Sequence, residues 1–75
     1  MAINLTKEEK AQIISSHIKS LSYTRYNLEI DIIQENAKVS PLASALTNFN
    51  TQIDEIDDQI TALETQLTAV NALTE

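Results

Sequence analysis

Seventy-five residues with no cysteine, no glycine and one proline allow one small domain, and exclude disulfide staples, thiolate metal sites and glycine loops that cradle phosphate. A core this small supplies about 3–5 kcal/mol, and a lone histidine, His17, offers little to a structural metal, so association with other helices is the remaining source of stability. The net charge of −6 is uneven: residues 1–40 balance Lys7, Lys10, Lys19, Arg25 and Lys38 against five acids, whereas residues 41–75 hold six acids and no base.

An acidic chain without a basic patch lacks the electrostatic footprint for nucleic acid or an anionic membrane. No apolar run approaches the length that spans a bilayer. The segment Met1-Ala2-Ile3-Asn4-Leu5 has neither the charged nor the apolar region of a signal peptide, so a chain that is not secreted is expected.

Residues 1–6 read as an arm. Helix 1 is expected over residues 7–37, starting at Thr6-Lys7-Glu8-Glu9. Thr6 as N-cap and Glu9 at the third helical position form a capping box, and Glu8 and Glu9 suit the positive end of the helix dipole. At 100° per residue, Ile14, Ile18, Leu21, Leu28 and Ile32 fall within about 80° of one another. Arg25 lies inside that stripe, where an arginine is costly unless paired and can fix register; an antiparallel partner helix would bring it to the region of Glu55. A second apolar group, Tyr26, Ile30, Ile33 and Ala37, sits roughly 90–160° round.

Residues 38–40 read as the loop. Asn36 suits a left-handed helix end, and Ser40 before Pro41 reads as an N-cap followed by proline at the first helical position. A single helix kinked at Pro41 is the rival reading. Helix 2 is expected over residues 41–73. There Leu42, Leu46, Phe49, Ile53, Ile56, Ile60, Leu63, Leu67 and Val70 follow alternating steps of four and three, a heptad seam. With Leu46 at position a, Ile56 and Val70 are β-branched residues at d, which disfavours a two-stranded parallel coil and favours more helices round the core. The flanking positions are mostly Gln and Asn, at Asn50, Gln52, Gln59, Gln66 and Asn71, so almost no complementary charge dictates a partner.

The fold class that follows is all-α: an antiparallel two-helix hairpin about 45 Å long with coiled-coil packing, oligomerising into a helical bundle. Its core is expected at Ile14, Ile18, Leu21, Leu28, Ile32, Leu46, Ile53, Ile56, Ile60, Leu63, Leu67 and Val70, with Arg25 as the register-setting polar residue. Ile3 and Leu5 are expected near Val70 and Leu73 at the open end. Surplus apolar residues gather at the loop end, so the interface with another hairpin or partner is assigned to Tyr26, Ile30, Ile33, Ala37, Leu42, Ala45 and Phe49.

Chemistry has few candidates. Asp54-Glu55-Asp57-Asp58 could suggest calcium, but calcium wants oxygens converging from a flexible loop, and these fan round a helix interrupted by Ile56; a solvated acidic face is the better reading. His17 has no companion at metal-ligand spacing and reads as a boundary residue. Tyr23 and Tyr26 without a basic groove suit packing boundaries rather than base stacking. No nucleophile stands at motif spacing from a base. No enzyme activity, cofactor, metal or small-molecule substrate is expected.

At Leu5-Thr6-Lys7-Glu8-Glu9-Lys10, at Tyr26-Asn27-Leu28-Glu29-Ile30-Asp31-Ile32-Ile33-Gln34-Glu35-Asn36 and at the ending Ala72 to Glu75, the chain resembles small uncharacterised helical proteins of marine T4-like cyanophages. That family has no established activity, so the resemblance implies a phage or environmental origin and no site. It would place the chain in the host cytoplasm or on a virion. Two functions stay open. One is a self-associating module, a dimer or trimer of hairpins serving as a phage-type structural or accessory protein. The other is a small acidic adaptor or inhibitor that lends its helix face to a host or phage protein.

Overall fold

The computed structural model describes residues 4–74. Two helices pack against each other: α1, Lys7–Asn36, and α2, Ala43–Asn71. Their 30 and 29 residues make rods of about 45 Å each. The whole measures 57 × 21 × 14 Å with a radius of gyration of 17.3 Å, against about 11 Å for a globular chain of this length. The arrangement is an all-helical hairpin.

α1 starts where its capping box dictates. The Glu9 amide donates to Thr6 Oγ1 at 3.1 Å, and the Thr6 amide donates to Glu9 Oε1 at 2.9 Å. These bonds hold the Glu9 carboxyl below its ordinary pKa, the Thr6 backbone bond contributing most.

The helix boundaries differ from the expected ones at the loop. α1 ends at Asn36, and Ala37 closes it in a right-handed conformation (φ −79°, ψ −8°), its amide bonded to Ile33 O at 3.1 Å. No described residue has positive φ, so Asn36 does not take a left-handed turn; the chain leaves by residues 37–42 instead. α2 begins at Ala43 rather than Pro41, and its N-cap is Leu42, not Ser40. Leu42 has no capping side chain of its own. A carboxylate from the other helix accepts the amide of Leu42 itself. The break is complete, so the kinked single helix is not formed.

The helices run antiparallel, because contacts pair rising numbers on α1 with falling numbers on α2. Leu28 packs with Ile53 and Ile56 as the central buried cluster, with Leu21, Ile32, Phe49 and Ile60 against it. Each of the three buried side chains contributes about 1.5–3 kcal/mol. Val70 is buried near the open end and shares a groove with Leu5; Ile3 lies outside the described residues. Ile14, Ile18, Leu46, Leu63 and Leu67 are half-buried. No described side chain is fully enclosed, which is what two helices alone can do. Among the described residues, no helix is long and apolar enough to cross a membrane.

Candidate interaction surface

The loop half of the hairpin carries the molecule's most specific geometry. Glu35 sits seven residues beyond Leu28 and fourteen beyond Leu21, in line with the inner face of α1. Its side chain is 8% exposed. Oε2 accepts the Leu42 amide at 2.9 Å, and Oε1 accepts Lys38 Nζ at 2.9 Å. The first bond satisfies a helix-start N–H that otherwise has no partner, and does so across the loop. Both bonds favour the ionised carboxyl, so its pKa is lowered, chiefly by the Leu42 amide and then by Lys38. Sequence reasoning assigned Glu35 no part. The available signal was its position: a carboxylate on the heptad step of Leu21 and Leu28.

Arg25 is half-buried at 35% side-chain exposure, and it meets Asp57 rather than Glu55. Nε donates to Asp57 Oδ1 at 2.7 Å, the second terminal nitrogen to Oδ2 at 3.3 Å, and Nη1 to Glu29 Oε1 at 2.6 Å. The planar guanidinium thus clamps both helices. Glu55 misses because it points to solvent, whereas Asp57 borders the seam beside Ile56. The bonds to Asp57 and Glu29 raise the Arg25 pKa, and the Arg25 bonds lower that of Asp57.

The residues assigned to an interface divide into two groups. Tyr26 and Ile33 are each 62% exposed and Leu42 60%. Ala37 is exposed, while Ile30 and Ala45 are half-buried. Phe49 is corrected: it packs on the Leu28–Ile53–Ile56 cluster, because its heptad step brings it onto the hairpin's own core. Tyr23, 64% exposed, belongs with the outward group and was not assigned to it. Lys19 Nζ lies 6.0 Å from its ring centroid. Between these side chains runs a shallow open groove of about 370 Å³ lined by Lys19, Ser22, Tyr23 and Tyr26.

On α2, Asp54, Glu55 and Asp58 face water. Among the described residues no three potential ligands stand together where a metal ion could sit. His17 lines another shallow groove with Leu21, Gln59 and Leu63. Comparison with known proteins finds no family model, no curated protein and no solved structure that matches this chain.

Proposed function

We propose that the chain is a non-enzymatic, self-associating helical module, in which the outward apolar face at the loop end joins hairpins into a larger coiled-coil bundle. The observation that carries this reading is surface that the isolated hairpin leaves uncovered. A folded monomer of 8.4 kDa exposes about 4,600 Å² by the usual scaling with mass. This one exposes 5704 Å². The surplus of about 1,100 Å² exceeds the roughly 800 Å² that one partner contributes to a standard interface. Tyr26, Ile33 and Leu42 supply apolar atoms to that surplus. A role as a small structural or accessory protein of phage type, in a host cell or on a virion, is consistent with the sequence resemblance.

Molar mass by light scattering on a sizing column, across a dilution series, tests the proposal. The expected result is two or three chains per particle, with Ile30→Lys and Ile33→Lys driving the mass toward one. An unchanged mass in those variants would exclude the loop-end face. A second reading, an acidic adaptor or inhibitor for another protein, is favoured by one observation: Asp54, Glu55 and Asp58 are exposed on a helix that has no basic residue. A persistent monomer that binds a basic helical target with salt-sensitive affinity would support it instead.

A further inference from the structure

On α1, Tyr23, Tyr26, Ile30, Ile33 and Ala37 follow steps of three, four, three and four. That is a second heptad seam. It lies about 150° round the helix from the stripe that faces α2. One helix therefore carries two a/d seams, and α2 covers only one of them.

The groove beside the outer seam has a specific form. Its lining residues, Lys19, Ser22, Tyr23 and Tyr26, stand at i, i+3, i+4 and i+7. Those four positions make the hole that receives a single knob from a facing helix in a coiled coil.

We infer that the outer seam is occupied by α1 of a second copy running antiparallel, with Tyr23 opposite Ile33 and Tyr26 opposite Ile30 across a two-fold axis near Leu28. The inference rests on the self-association proposed above and specifies its contact. In this register every layer pairs an a residue with a d residue. The Ile33 side chain of each copy enters the hole formed by Lys19, Ser22, Tyr23 and Tyr26 of the other. Lys19 comes level with Ala37 of the second copy. The occupant is a second copy rather than an unrelated helix because the seam supplies both the hole and the knob that fits it, as a two-fold interface requires. The four helices then form a staggered row, α2–α1–α1–α2. It is about 75–80 Å long, since the shared centre is displaced toward the loop from the middle of α1.

The chain has no cysteine, which makes thiol mapping direct. Tyr23→Cys and Ile33→Cys variants are treated, separately and mixed, with a crosslinker whose reach is well under about 15 Å, the axial spacing of ten helical residues. Circular dichroism and light scattering check that each variant remains helical and associated. The expected result is crosslinking in the mixture and little in either variant alone. Crosslinking of each variant with itself would show parallel seams and overturn the inference while leaving self-association standing. A dimeric mass with no crosslink in any sample would place the contact elsewhere and overturn it likewise. A monomeric mass for the unmodified chain would remove both the inference and the reading beneath it.

Discussion

The two ends of the hairpin are built on different principles. From Leu28 and Ile53 toward the loop, α1 buries one side against α2 and presents Tyr26 and Ile33 on the other, while Glu35 and Lys38 tie the connection down. Toward the open end, the outer face of α1 turns polar, with Gln12, Ser15 and Ser16 lining a shallow groove, and Val70 is the described residue buried there. The loop half has more apolar surface than a helix pair can cover. The open half leaves less: Leu5, Ile13 and Leu73 are 38%, 48% and 39% exposed. The Leu28–Ile53–Ile56 cluster and the exposed Tyr26–Ile33 face of α1 therefore lie in the same half.

The strongest way to break this contrast is to remove the central cluster. Ile53→Ala or Ile56→Ala costs roughly 2–5 kcal/mol, comparable to the whole stability of so small a core, about 3–5 kcal/mol. Either variant loses cooperative thermal unfolding by circular dichroism, whereas Ile14→Ala, half-buried in the open half, keeps it at a lower midpoint. If Ile14→Ala were as damaging, the two halves would be equivalent.

Glu35→Ala comes next. It leaves the Leu42 amide without its acceptor and opens the loop, so hydrogen exchange at Leu42 accelerates before exchange at Ile53 does. The acid response follows from the same bonds. The Glu35, Asp57 and Glu9 carboxyls all lie below their ordinary values of 4.5, 3.8 and 4.5 in the folded chain. Their stabilisation is complete above those ordinary values and is lost as pH falls through the lowered ones. Urea midpoints should drop between neutrality and about pH 3, and Glu35→Gln should flatten that slope. A steeper slope in Glu35→Gln would contradict the assignment.

Thr6→Ala removes half of the capping box and costs about 1 kcal/mol, read as a lower urea midpoint with an unchanged slope. Smallest is Ile33→Ser, which alters the stability of the isolated hairpin by no more than about 0.5 kcal/mol. Its effect belongs to association, so a large shift in the monomer's unfolding would show that Ile33 is bonded inward.

The α2 seam was legible because a period of 3.5 is a one-dimensional signal: every apolar step from Leu46 to Val70 falls on a buried or half-buried side. The Thr6–Glu9 box was legible because its partners are three residues apart. The start of α2 was not. Ser40-Pro41 is a sound local signal, but the amide of Leu42 found a buried carboxylate from the other helix, and local propensity cannot weigh an acceptor that arrives through tertiary packing. Arg25 shows the intermediate case. Its position demanded a partner, and the choice of Asp57 over Glu55 depended on which carboxylate the helix rotation left beside the seam. Tyr23 is less legible for a simpler cause: its steps of three to Tyr26 and seven to Ile30 make a run much shorter than the α2 seam.

The Glu35 latch also sets an order of assembly. Glu35 and Leu42 are seven residues apart, so joining them closes a short loop at small entropic cost, and each contact beyond it extends that closure by a little more. The helices then zip from the connection outward, with Leu28 meeting Ile53 before Ile14 or Val70 finds its place. The outer seam of α1 thus rests on the part of the hairpin that forms first, and its shape is set before the far ends have closed.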